Sequence, residues 1–497
     1  MRVLAMTETP AATRGYAWYV VGLVCALYVL SYLDRLILGL LVQPIQAEIS
    51  VSDTQMSLLF GMAFAGVFAV AGLPLARIAD TRNRKTLIIA GVMIWCALTV
   101  ASGFARDFET LLACRIGVAA GEAALLPAAL SIISDLFERK RRSLPVSMVM
   151  TAGMVGASAS FLIGAVVIDL IVSLTDSGML SASLAPWRLT LIAVGLPGIV
   201  LGLLFAATVA EPARTAARAD EISLKQTWQH MTGNGWAYFG MLGGIALLTL
   251  IPFSIAAWFP TFLIRRFGLT AQEAGYSFGT AFATCAVSGS LILPWIADRW
   301  SKRGRGDAIP SIAVLALLLG APFALFAPLA GDARTSVLLV APAIFFLAGS
   351  PTLATVAVHM IAPPRARAQL QSIYLMMTNI IGLGLGPTLT VFLSEWLFDG
   401  PADIGLGLAA MVVVAGPVAL VILLLARRDF ARRFHESAQE GALQRTTNLR
   451  PAPLNSARGS RPSWPIMSIR PRPSSIARSP PSRATIASGR PCRRWRA

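Results

Sequence analysis

The sequence predicts an all-α, polytopic membrane protein: twelve transmembrane helices in two pseudo-symmetric six-helix bundles. Three observations lead there. Of 497 residues, 56% are hydrophobic and only 13% charged, where a soluble chain carries about 25% charged residues. The mean hydropathy is +0.67. Apolar runs of the roughly 20 residues needed to cross a bilayer recur along the chain, six before a polar stretch and six after it. Lipid offers the backbone no hydrogen-bond partners, so such runs must be helices or closed barrel strands. Barrel strands alternate apolar with polar residues; these runs are continuously apolar.

The elements follow in order. The N-terminus (MRVLAMTETPAATRGYAW) is too long and polar ahead of its first apolar run for a removable signal, and no small-residue cleavage site follows that run. The run from Tyr16 is therefore a retained first helix, placed at 17–42. Five more are placed at 54–78, 86–104, 108–136, 142–170 and 188–209, closing a first bundle over 1–209. Residues 210–235, containing EPARTAARADEISLKQ, hold no apolar span and read as a cytoplasmic linker. The second bundle, 236–427, has helices at 236–264, 271–297, 308–329, 335–361, 366–394 and 403–426. From 428 to 497 the chain is Pro, Ser and Arg rich with few aromatics, so it cannot bury a core and reads as a disordered basic tail.

Charge orients the bundle. Basic clusters occupy the even-numbered breaks, such as Arg82, Arg84 and Lys85, or Arg299, Lys302 and Arg303. Acids dominate the odd-numbered ones, which also hold Arg106, Arg265, Arg266 and Arg334. The positive-inside rule then puts both termini in the cytoplasm, in a bacterial-type inner membrane. The net charge of +17 does not signal nucleic acid. Twelve arginines and no acid lie from Gly441 onward, so the basicity belongs to a tail and to loops rather than to a folded face. The cysteines sit at unrelated spacings, and none of the three histidines stands near a cysteine or acid cluster. No metal, cofactor or enzymatic centre is expected.

Ionisable residues at membrane depth are costly and by default functional. SYLDRLIL places Asp34 and Arg35 about 25 Å along the first helix. LLACRIGVAAGEAALLPAA places Arg115 and Glu122 on the fourth, which runs the other way. Seven residues apart, those two share a face and bracket Asp34 in depth. A carboxylate–guanidinium cluster around a common cavity is feasible. Burial favours the protonated acid and a nearby arginine opposes it, so a pair that opens and closes is a proton site; a permanent pair would only tie two helices together. The second half offers no such charges. Trp258, Tyr374 and Asn379 are its candidates for an apolar cavity wall, although each could equally be a packing residue. His359 reads as interfacial.

Two loops repeat. GLPLARIADTRNRK follows the second helix and LPWIADRWSKRG the eighth, each putting Ile-Ala-Asp before a basic turn. The first resembles the cytoplasmic signature of the Major Facilitator Superfamily, departing from it at Ala76, Thr81 and Asn83. That resemblance implies a cytoplasmic gate of Asp80, Arg84, Lys85, Asp298 and Arg299. Asp80 would meet the eleventh helix near Arg365 and Arg367, and Asp298 the fifth near Arg141 and Arg142; otherwise these are solvated loop charges. YLDR, SDTQ and RIGVAAGEAALLPAALSIISDLF resemble the spinster-like branch, over about residues 28–160. The branch implies proton-linked carriage of amphiphiles such as lysophospholipids and sphingoid lipids. It also implies proton and substrate roles for Asp34 and Glu122, with Arg35 and Arg115 as partners. The expected partners are thus a small-molecule substrate, protons and the lipid bilayer, with the chain working as a monomer. Two rivals remain: an organic-anion symporter of the same superfamily, and a membrane sensor or scaffold with a transporter fold.

Overall fold

A computed structural model describes residues 14–138, 141–179, 184–214, 224–363, 366–398 and 403–448. Twelve helices among them are long and apolar enough to span a membrane. The first six are Arg14–Glu48, Asp53–Thr81, Arg84–Ser102, Phe108–Leu136, Leu144–Asp176 and Pro186–Thr208. The second six are Trp236–Phe267, Ala271–Lys302, Ala308–Leu329, Ala333–Ile361, Gln369–Phe398 and Ile404–Ser437. They are called the first to twelfth helices below.

Several of these helices are interrupted, and the interruptions have a local cause. The fourth divides into Phe108–Glu122 and Leu125–Leu136, the seventh into Met241–Leu248 and Leu250–Phe267 after an opening π turn, and the tenth into Ala333–Leu347 and Ser350–Ile361. Each break lies just before a proline: Pro127, Pro252 and Pro351. Proline has no N–H to give the preceding turn, and its ring crowds the carbonyl four residues back. The eleventh helix instead widens into a π segment, Asn379–Leu385, ahead of Pro387. Capping residues fix other starts, as where Asp107 and Asp332 accept from the backbone N–H groups of Thr110 and Thr335.

One sequence expectation is corrected, and one element is added. The linker contains a short helix, Leu224–Gly233, whose Thr227 is buried while Trp228 is exposed. The chain also does not lose order at 428. The last helix runs on from Ile404 to Asn448. Arg432 lies 3.2 Å from Asp429 and 3.8 Å from Glu436 along that helix, pairs that favour the helical state. Ser437 Oγ donates to the carbonyl of Met360 at 3.0 Å, and Arg427 pairs with Asp307. Residues 449–497 lie outside the described residues.

The halves approach closely at the end that the charge bias predicts to be outside. The first helix meets the seventh where Thr261 Oγ1 donates to the carbonyl of Gly39 at 3.1 Å. The second meets the eleventh at Gly61, where a Cβ would stand 3.0 Å from the carbonyl of Gly384. The fifth meets the eighth through Phe161, edge-on to Phe278 and Phe282 at 4.9 and 5.3 Å. Small residues let backbones come this near.

Candidate functional site

The four charged residues singled out at membrane depth come together inside the first half. Asp34, Arg35, Arg115 and Glu122 are 2%, 8%, 2% and 3% exposed. They pair crosswise. Arg35 Nη2 donates to Glu122 Oε2 at 2.6 Å, and Arg115 Nη1 donates to Asp34 Oδ1 at 3.2 Å. Adjacent residues of a helix point about 100° apart, so Asp34 and Arg35 reach different partners on the fourth helix. The seven-residue spacing of Arg115 and Glu122 turns both back toward the first helix. Glu122 ends the first segment of the broken fourth helix.

Third-helix and second-helix residues complete the cluster. Thr99 Oγ1 donates to Asp34 Oδ2 at 2.5 Å and is also 2.9 Å from the carbonyl of its own helix at Trp95. The Arg35 guanidinium lies over the rings of Tyr32, Phe64 and Phe68 at 4.9, 4.7 and 5.1 Å, and that of Arg115 over Phe64 at 5.4 Å. Arg35 Nε, Arg115 Nε and Nη2, and Glu122 Oε1 are buried without a hydrogen-bond partner. The cluster is neutral in sum but not saturated. Loss of one member of either ion pair leaves a buried charge without its counter-ion.

In the second half the weak candidates fare differently. Trp258 is fully buried, donates through Nε1 to the carbonyl of Pro387 at 3.1 Å and meets Phe60 edge-on at 5.2 Å. Tyr374 is fully buried against the tenth helix, its hydroxyl 3.4 Å from the carbonyl of Pro351. Both side chains are buried here, their aromatic bulk packed at the crossing helices. Asn379 is half-buried and caps its own helix by donating to Leu375 at 3.0 Å. His359 is exposed near a helix end, as expected.

The basic-loop end is more ordered than its sequence suggested. Arg84 is buried and reaches Asp135 of the fourth helix and Glu211 beyond the sixth, the latter at 2.7 Å. Glu211 also accepts from the backbone N–H of Lys85 at 2.8 Å. Arg214 donates to the carbonyls of Ala79, Asp80 and Arg82, closing the end of the second helix. Asp298 pairs with Lys302 one turn along at 2.5 Å, Arg299 lies over Trp295 at 5.6 Å, and Arg142 donates to the carbonyl of Phe137. Arg367 donates to the carbonyl of Ala362 at 3.3 Å, and Arg365 lies outside the described residues.

At the opposite end Asp53, 3% exposed, receives both terminal nitrogens of Arg265 at 2.6 Å. Gln46 joins them, accepting from Arg265 at 2.8 Å and donating to Asp53 at 2.8 Å. Thr54 donates to Glu395 at 2.9 Å. Both contacts cross between the halves. The sequence showed Arg265 as a loop charge and Asp53 only within SDTQ, without joining them, and it missed Thr99, the three rings, Asp135, Glu211 and Arg214. Only the Glu-Pro-Ala-Arg step at 211–214, directly after an apolar run, offered a signal.

Residues 24–382 match the Major Facilitator Superfamily. The chain is 28% identical to an MFS-type efflux pump of Mycolicibacterium smegmatis over 435 residues, covering 85% of this chain and 95% of that protein. It is 25% identical to a probable L-galactonate transporter of Escherichia coli over 416 residues, covering 80% and 86%. A bacterial homologue of the human lysosomal transporter Spinster, in an inward-facing and unoccupied conformation, superposes with a TM-score of 0.73 at 25% identity. That match covers 86% of this chain and 99% of the other.

Proposed function

The chain belongs to the Major Facilitator Superfamily, and we propose that within it this secondary transporter is proton-coupled and moves a small amphiphilic or lipid-like substrate by alternating access. The observation that carries this reading is the crosswise pairing of Asp34 with Arg115 and Arg35 with Glu122 in a buried, unsaturated cluster. Charged groups at this depth are retained at a cost, and two carboxylates held by two guanidiniums can trade a counter-charge for a proton. Asp34 and Glu122 are the proton and substrate residues, and Arg35 and Arg115 their partners. The two six-helix halves rock about the midplane. Both termini lie on the basic-loop side, taken as the cytoplasm of an inner membrane. The halves are closed at the other end, the closure that an inward-facing state requires.

In this reading Asp80 and Asp298 latch the halves on the cytoplasmic side only when the protein faces outward, with Arg84, Lys85 and Arg299 framing the gate. The test is uptake of a lysophospholipid into proteoliposomes under an imposed pH gradient. Glu122→Gln should abolish gradient-driven uptake while the protein still inserts and stays folded. Unchanged uptake in that variant would refute the proton role. A second reading, organic-anion symport, draws on the likeness to the probable L-galactonate transporter. Competition by a sugar acid but not by a lysophospholipid would favour it.

A further inference from the structure

The arginine of one ion pair has a second set of partners. Arg35 meets Glu122 at 2.6 Å on one side, while Tyr32 of its own helix and Phe64 and Phe68 of the second helix stand within 4.7 to 5.1 Å of the guanidinium carbon. Phe64 is fully buried and stacks nearly parallel to Phe68, at 6.0 Å and 19°. Tyr32 is buttressed edge-on by Tyr28 at 5.4 Å. Arg35 Nε, buried and without a hydrogen-bond acceptor, sits in this aromatic surround. The face of an aromatic ring carries negative charge density and attracts a cation within about 6 Å, the more so away from water.

We infer that Tyr32, Phe64 and Phe68 form a standby partner for Arg35: they hold its guanidinium in place while Glu122 is neutral. The inference rests on the proposed proton role of Glu122. When that carboxylate takes a proton, the cluster passes from net neutral to one positive charge, and Arg35 loses its counter-charge without leaving the membrane interior. An uncompensated buried cation would otherwise be strongly destabilising. The groups around Glu122 offer no replacement anion. Facing it are Arg35, Asp34 and Tyr28 on the first helix, with Tyr32 beside Arg35, Cys96 on the third and Arg115 on its own helix. Asp34 is already engaged with Arg115 and Thr99. The second helix contributes rings only. Phe64 lies over both guanidiniums, so it also keeps Arg35 and Arg115 in register while the ion pair is broken. These are positioning residues: they act on the arginines, not on the substrate.

The test needs neither substrate nor pH gradient, so it is read separately from the transport assay. Thermal midpoints are measured on the purified full-length protein for the parent, Phe64→Leu, Glu122→Gln and the double variant. Glu122→Gln imitates the protonated state, in which the rings have to hold Arg35. Phe64→Leu should therefore lower the midpoint about twice as far in the Glu122→Gln background as in the parent, a non-additivity of contacting groups, and Phe64→Tyr should restore it. Equal shifts in the two backgrounds would overturn the inference. Where Phe64→Leu does not fold, fluorinated phenylalanines at position 64 keep the shape and weaken the ring face stepwise. A midpoint that falls with each added fluorine in the Glu122→Gln background supports the standby role, and a flat series overturns it.

Discussion

The two halves share a fold and solve the problem of polar groups in lipid in opposite ways. In the first half, charges pair across helices: Asp34 with Arg115 and Arg35 with Glu122. In the second, buried hydroxyls bond largely within their own helix: Thr249 donates to the carbonyl of Ala246 at 2.6 Å and Ser254 to Leu250 at 2.7 Å. A hydroxyl bonded to its own helix costs little and changes little when helices shift. A buried ion pair between helices ties its stability to their relative position. The difference teaches where a switch can be built. In the proposed reading the switch lies in the first half, where the buried ion pairs are.

The sharpest way to break this comparison is to unpair the first half. Arg115→Ala leaves the Asp34 carboxylate buried with Thr99 as its remaining side-chain hydrogen-bond donor. The cost should be about 3–5 kcal/mol, read as a lowered denaturation midpoint, with loss of substrate binding. Adding Asp34→Asn should recover most of the stability but not transport, because the charge imbalance is then gone while the site remains disabled. Thr249→Val in the second half should leave transport close to that of the parent. A second-half substitution as damaging as Arg115→Ala would abolish the distinction.

Next come the two ends. Asp53→Asn removes one charge from the bidentate contact with Arg265, a charge-assisted bond worth about 1.5–3 kcal/mol. That shifts a two-state equilibrium about ten-fold or more, here toward the outward-facing form. Cysteine labelling of cavity positions from the outside should rise. Asp80→Asn should act in the other direction, raising labelling from the cytoplasmic side. Labelling that moves the same way in both variants would show that they do not guard opposite ends.

A smaller effect concerns Asp307, at the start of the ninth helix. Burial opposes its ionisation, but bonds from Arg305, Arg427 and Ser311 outweigh that and hold the carboxyl at about 2, from 3.8. With the folded value depressed, this contribution is present above about pH 4 and fades as pH falls toward 2. Hydrogen exchange over residues 427–437, corrected for intrinsic rates, should accelerate across that window in the parent. In Asp307→Asn it should already be fast and nearly flat. Smallest of all is removal of residues 449–497, whose composition can bury no core. Insertion and uptake should not change, and failure to reach the membrane would show that the tail has a role.

The sequence by itself determined the class, the number of spans and their approximate limits. Apolar length in a bilayer has essentially one solution. It also determined that Asp34, Arg35, Arg115 and Glu122 belonged together, because isolated charges at that depth are rarely tolerated and helical spacing restricts which faces they share. Only the tertiary structure decided who pairs with whom, and that Thr99, Tyr32, Phe64 and Phe68 surround them. Hydroxyls and rings are common in membrane helices, so nothing in their local sequence marks the few that face a charge. It also decided that Trp258 and Tyr374 are packed away and that Asp53 and Arg265 join the halves. Partners more than 200 positions apart in sequence meet only once two bundles dock, and no periodicity within one helix records that meeting.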